Sequence, residues 1–191
     1  MIKLIIINNK NDINSIILVE RLTFVSNNLK VIILGAGFMG EKHAKSYKNI
    51  PGVDVYAVID KNLKKAIEFS NKYGCKYAEE LNSELLNDVD FIDVCLPTRF
   101  HKEMILEGFK AGKDVICEKP LSLSVEEAEE IVKASENFGR KLMIAHVVRF
   151  WPEYAKLTEM VKNGEIVDIK NLTLYRYGAP PNWSEGNWML S

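Results

Sequence analysis

From Leu29 onward, short apolar runs rich in β-branched residues alternate with longer segments of helical periodicity. The runs fall at 31–34, 53–59, 91–96, 113–117 and 141–147, with a weaker one near Cys75. Short β-branched runs separated by helical segments predict strands buried on both faces, as in a parallel sheet covered by crossover helices. After Ser124, the residues Ala128, Ile131, Val132 and Ser135 share one helical face. Ser124 and Glu127 form a capping box at its start, and Gly139 supplies a stop. Thr98 stands where an N-cap belongs, ahead of an apolar face made by Ile105, Leu106 and Phe109. The pattern predicts an α/β fold, a doubly wound parallel sheet.

Both ends of the chain break this rhythm. Residues 1–28, heavy in Ile and Asn, settle into neither helical nor strand period and lack the layout of a signal peptide. They read as an atypical extension, with an added edge strand from "KLIIIN" as the alternative. Residues 29–150 form the predicted sheet domain. Residues 152–164 predict one more helix, ended by Gly164, and "VDIKNLTLYRY" then alternates as a strand with one exposed face. Residues 151–191 thus read as the opening of a second, antiparallel domain, left incomplete at Ser191, because one helix and one or two strands bury no core of their own.

Composition narrows the function classes. A hydrophobic share of 47% with 27% charged residues is that of a folded globular chain. The net charge of −1 provides no field for nucleic acid or an anionic membrane, so neither is expected as a partner. No apolar run approaches the ~18 residues of a membrane helix. Cys75, Cys95 and Cys117 are odd in number and widely spaced, which predicts buried thiols and a cytoplasmic protein. Three scattered histidines and no paired carboxylates predict no metal site.

Chemistry concentrates in "VIILGAGFMGEKHAKSY". Gly35, Gly37 and Gly40 follow an apolar strand and open a helix, the context a G-x-G-x-x-G fingerprint requires. Gly35 permits the tight turn, Gly37 lets backbone approach a pyrophosphate, and Gly40 lets helix and strand pack closely. The next strand, "VDVYAVID", ends at Asp60, twenty residues after Gly40, where an acid accepts hydrogen bonds from a ribose. Asp60 favours NAD, since a carboxylate repels a 2′-phosphate; Lys61, Lys64 and Lys65 close behind soften that preference and keep NADP as an alternative.

Two further stretches sit at strand C-termini, the edge where open α/β sheets bind ligands. In "CLPTRFH", Pro97 ends its strand and Thr98 opens the next helix. In "VICEKPLS", Glu118 and Lys119 lie just past a buried strand. A lysine beside a hydride-transfer site can bond a substrate hydroxyl and steady the charge that develops as it loses its proton.

Together, "GAGFMGEKHAKSY", "AVID", "CLPTRFHKEMILEGFKAGKDVICEKPLSLSVEEAEEIV" and "LMIAHVVRFWPEY" resemble the Gfo/Idh/MocA family of oxidoreductases, from about Leu29 to Ser191. The resemblance implies an N-terminal Rossmann domain, a C-terminal α/β domain with an open sheet that usually makes a homo-oligomer, and NAD(P)-dependent hydride transfer on a sugar, polyol or related small molecule. It implies that Gly35, Gly37, Phe38, Met39 and Gly40 hold the pyrophosphate and Asp60 the adenosine ribose. Pro97, Thr98 and His101 would line the nicotinamide side, Glu118 would approach the nicotinamide ribose, and Lys119 would be the catalytic-site lysine. Arg149 matches an arginine near the cofactor. His43 and His146 match positions with no evident chemical role and read as structural.

The family's active site also needs a glycine-rich loop and an Asp-x-x-x-His-type segment, and "NWSEGNWMLS" reads as the lead-in to that loop. The expectation is therefore a family oxidoreductase with a complete cofactor domain and impaired turnover. The alternatives are a non-catalytic dinucleotide-binding module and a gene remnant.

Overall fold

Six strands emerge from the apolar runs: β1 (Leu29–Leu34), β2 (Val53–Ile59), β3 (Lys76–Ala78), β4 (Phe91–Val94), β5 (Asp114–Cys117) and β6 (Leu142–Ile144). A computed structural model supplies this fold, and the structure describes residues 28–175. Expectations for the first 27 residues and for the segment after Tyr175 lie outside the described residues. The chain divides into two units, residues 1–146 and 147–191.

Among the described residues of the first unit all strand pairs are parallel, in the order β3-β2-β1-β4-β5-β6. Chain direction across the sheet reverses between β1 and β4, the switch point at which doubly wound folds bind ligands. The helices are α1 (Phe38–Tyr47), α2 (Leu63–Tyr73), α3 (Ser83–Asn87), α4 (His101–Lys110) and α5 (Val125–Phe138).

Alternation within β1 builds both layers. Val31 and Ile33 pack with Ala44, Tyr47, Ala66 and Phe69 from α1 and α2. Ile32 and Leu34 face the other way, against Leu85, Ile105, Phe109 and Ile131 from α3, α4 and α5. Each fully buried aliphatic side chain contributes roughly 1.5–3 kcal/mol.

Local signals place the helix ends. The Ser124 hydroxyl accepts from the Glu127 N–H at 3.2 Å, and Gly139 closes α5 at φ +59°. The Asn62 side chain accepts from the Lys65 N–H at 3.3 Å to start α2. The expected strands at 91–96 and 141–147 are shorter than their apolar runs, ending at Val94 and Ile144. Thr98 does not cap α4. Residues Thr98–Phe100 form a 3₁₀ turn, with the Phe100 N–H on the Pro97 carbonyl at 2.9 Å, so the α-helix starts only at His101. Val132 is 46% exposed, because the turn of α5 carries it to the flank of the stripe centred on Ile131.

The second unit, taken by itself, holds a 3₁₀ turn at Val147–Phe150 and α6 (Pro152–Lys162), which opens with Pro152 in its first turn. Asn163 caps α6 and Gly164 follows at φ +72°. The strand expected from Val167 forms no ladder among the described residues. A strand is defined by its pairing, and period-two alternation alone does not supply a partner. No helix among the described residues is long and apolar enough to cross a membrane.

Candidate functional site

The glycine loop sits at the end of β1, beside the switch point. Gly35 has φ +108°, and a Cβ there would stand 2.7 Å from the Cys95 carbonyl oxygen. A Cβ on Gly40 would stand 1.9 Å from the Gly35 carbonyl oxygen, so α1 closes onto the strand only without a side chain there. Gly37 differs from both. It is exposed, its backbone is in the ordinary extended region (φ −82°, ψ −170°), and a Cβ would meet nothing within 4 Å. Sterically, then, Gly37 is not required by the protein's own packing. No side chain caps α1, leaving its positive end for an anion.

Asp60, one residue past β2, accepts from the Ala36 N–H at 2.8 Å through one carboxylate oxygen and from the Asn62 N–H at 2.8 Å through the other. Each oxygen retains a lone pair for a further donor. The carboxylate is thereby fixed to the glycine loop.

At the ends of β4 and β5 the candidates divide. Pro97 and Thr98 are half-buried, and Lys119 is exposed in the turn after β5, where the Lys119–Pro120 peptide is cis. His101 is 1% exposed, with Nε2 2.7 Å from the Leu96 carbonyl and Nδ1 2.9 Å from the Pro120 carbonyl. Its ring thus joins the end of β4 to the lysine turn. Glu118 also points inward: one oxygen accepts from the Lys119 N–H at 3.0 Å, and the other lies 3.1 Å from His43 Nε2. Arg149 is exposed in the second unit.

Behind this edge lies a group that sequence reasoning missed. Asp93 is 0% exposed in the middle of β4; its Oδ2 is 2.7 Å from His43 Nδ1 and accepts from the Tyr47 hydroxyl at 2.7 Å. The Cys95 thiol donates to its other oxygen at 3.6 Å. Burial works against a charge on His43, but Asp93, with help from Cys95 and Glu118, holds the imidazole far above its ordinary value. Burial likewise resists ionisation of Glu118, yet the bond and charge from His43 and the Lys119 N–H hold its carboxyl below its ordinary value. Burial and Asp93 push the Tyr47 hydroxyl well up and the Cys95 thiol up to about 12. An aspartate inside the apolar run "FIDVC" was the available signal, because a strand buried on both faces holds a carboxylate only with partners.

A pH dependence follows. The unfolded chain releases the His43 proton above about 6.5, while the folded protein keeps it, so the stability carried by His43 falls as pH rises through that value. The depressed Glu118 acts in the opposite sense, and its contribution is lost as pH falls below about 4.5. Urea denaturation is expected to show about 1 kcal/mol of loss per pH unit between pH 7 and 8, below the range in which the thiols of the unfolded chain ionise. This slope should be absent in His43→Gln. An equal slope in that variant would assign it to other groups.

Comparison with known proteins agrees with this geometry. The family profile described as "Oxidoreductase family, NAD-binding Rossmann fold" matches residues 29–146. A 4-carboxy-2-hydroxymuconate-6-semialdehyde dehydrogenase of Sphingobium sp. is 32% identical over 169 residues, covering 82% of this chain and 53% of that protein. An inositol 2-dehydrogenase of Rhizobium meliloti is 30% identical over 151 residues, 78% of this chain and 46% of its own. The solved structure of GenD2 from gentamicin A biosynthesis, in complex with NAD, matches with a TM-score of 0.70 at 29% identity, covering 78% of this chain and 43% of that one. The chain spans about half the length of the curated relatives it matches. By its strand order, its glycine loop and this match, the chain belongs to the Gfo/Idh/MocA family of oxidoreductases, with the NAD-binding Rossmann fold.

Proposed function

We propose that the chain binds NAD in preference to NADP across the switch point, in the service of hydride transfer on a hydroxyl or carbonyl carbon of a sugar, polyol or related small molecule. The observation that carries this reading is Asp60, fixed to the glycine loop through Ala36 and retaining acceptor capacity on both oxygens. The residues present fit a dinucleotide: Gly35 and Gly40 shape the turn, Gly37 leaves it open, and the start of α1 carries no side-chain cap.

In this reading the backbone of Gly35, Gly37, Phe38, Met39 and Gly40 binds the pyrophosphate, and Asp60 accepts from the adenosine ribose. Pro97 and Thr98 line the nicotinamide side, with His101 holding their segment to the lysine turn. Glu118 stands on the nicotinamide-ribose side through that turn, and Lys119 bonds the substrate hydroxyl and steadies its developing charge. A cofactor role for Arg149 rests on the family resemblance alone. When bound, the nicotinamide supplies the hydride chemistry. The inositol 2-dehydrogenase supports a polyol-type substrate, and the unpaired thiols among the described residues support a cytoplasmic location. Assembly as a homo-oligomer rests on the family resemblance alone.

Calorimetric titration with NAD and NADP tests the reading. Wild type is expected to bind NAD with micromolar affinity, and Asp60→Ala to weaken that binding about tenfold, roughly the loss of one charge-assisted hydrogen bond, while narrowing or reversing the preference over NADP. No binding of either dinucleotide by the folded chain would leave the glycines as inherited architecture.

A further inference from the structure

The buried group centred on His43 joins three parts of the candidate site that are far apart in sequence. His43 lies on α1, the helix the glycine loop opens. Asp93 lies on β4 at the switch point, and Glu118 ends β5 beside Lys119. Both ring nitrogens of His43 face carboxylate oxygens, at 2.7 Å and 3.1 Å. An ionised carboxylate only accepts, so both bonds form together only when the ring carries a proton on each nitrogen. Glu118 in turn accepts from the Lys119 N–H.

We propose that His43 is a positioning residue, a buried imidazolium whose two N–H groups tie Asp93 to Glu118 and thereby fix the lysine-bearing turn against the helix of the glycine loop. The groups that face His43 are Asp93 and Cys95 from the β4 side, Glu118 with Lys119 from the end of β5, and Tyr47 from its own helix. Two of them are carboxylates bonded to the ring, so the proton stays across the neutral range. The Tyr47 hydroxyl donates to the same Asp93 oxygen that faces His43 Nδ1, so Asp93 is held by α1 at two points.

A metal ion is the competing use of the same atoms. Ligand-type atoms of His43, Asp93 and Cys95 lie within 4.8 Å of one another. They are already bonded to each other, however, and a cation there needs a thiolate and a deprotonated imidazole nitrogen. Burial and Asp93 favour the protonated thiol, and the ring is held as a cation.

The proposal rests on the cofactor reading only for the role of Lys119, and its test needs no cofactor. In the full chain, the ¹⁵N shifts of the His43 ring, assigned by comparison with His43→Gln, are expected to show both nitrogens protonated from pH 6 to 9. Amide hydrogen exchange supplies the positioning readout. Lys119 is expected to exchange about tenfold faster in His43→Leu, as for loss of one charge-assisted bond in the array, relative to amides of β1. The donor of His43→Gln should restore part of that protection. A ring with one bare nitrogen at pH 7 would overturn the proposal. So would equal acceleration at Lys119 and throughout β1, which is global destabilisation, or a stoichiometric divalent metal in the purified protein. If these readouts hold while neither dinucleotide binds, the array stands and the cofactor reading fails.

Discussion

Replacing Gly40 by alanine is expected to cost about 3 kcal/mol or more, the upper end of overpacking penalties. The added methyl carbon would stand 1.9 Å from the Gly35 carbonyl oxygen and 3.3 Å from the Ile33 Cγ2. Neither obstacle can swing aside as a flexible side chain can. Gly35 is itself at φ +108°, held by a bond from its N–H to the Ile59 carbonyl at 2.7 Å. Relief therefore requires α1 to move away from β1, separating Ala44 and Tyr47 from the layer they complete with Val31 and Ile33. Urea denaturation of Gly40→Ala measures the loss; a change below about 1 kcal/mol, within the range of ordinary substitutions, would show that the helix does not sit this close to the strand.

Asp93→Ala has a comparable expected effect for a different reason. The substitution leaves the His43 imidazolium with one carboxylate instead of two and removes the acceptors of the Tyr47 hydroxyl and the Cys95 thiol, all in the protein interior. Breaking a buried pair by deleting one partner costs about 3–5 kcal/mol, because the remaining charge stays buried. Asp93→Asn keeps an acceptor and the volume, so its loss should be smaller, while the His43 ring should lose its proton at a lower pH. Denaturation of the two variants at pH 7 checks the order, and an Asp93→Ala variant as stable as wild type would mean that the array contributes no net stability.

Much of the first unit was legible in the sequence because its signals are local. β1 and β2 are short runs rich in β-branched residues, and Ser124 and Gly139 bracket α5 with side-chain and backbone chemistry that needs no tertiary context. The glycine loop was legible for the same reason, since the spacing of Gly35, Gly37 and Gly40 reports a backbone shape. Less could be read where pairing decides. The alternation after Val167 resembles a strand, but alternation states only which face is apolar. Thr98 failed as a helix cap because Pro97 directs the chain into a tighter turn first. The array of His43, Asp93 and Glu118 was the least legible part of the site. Its members are 50 and 75 positions apart, and nothing in the local sequence says that they meet. Glu118 and His101, placed in the candidate site by the family resemblance, have side chains that turn inward and hold the segments that carry Lys119, Pro97 and Thr98, contacts the local sequence does not report.

The central claim, that the glycine loop is a working dinucleotide site, is tested most directly at Gly37. Its backbone is in a region open to any residue, and a Cβ there meets no protein atom within 4 Å, so Gly37→Val should fold with stability within about 0.5 kcal/mol of wild type, as surface substitutions do. In the cofactor reading that open space is where the pyrophosphate meets the backbone, and the valine side chain fills it. Calorimetric titration of wild type and Gly37→Val with NAD should therefore show binding in the first and a loss of about a hundredfold or more in the second, equivalent to about 3 kcal/mol, at unchanged stability. Equal binding by both proteins would place the dinucleotide elsewhere, and the account of the loop would be wrong.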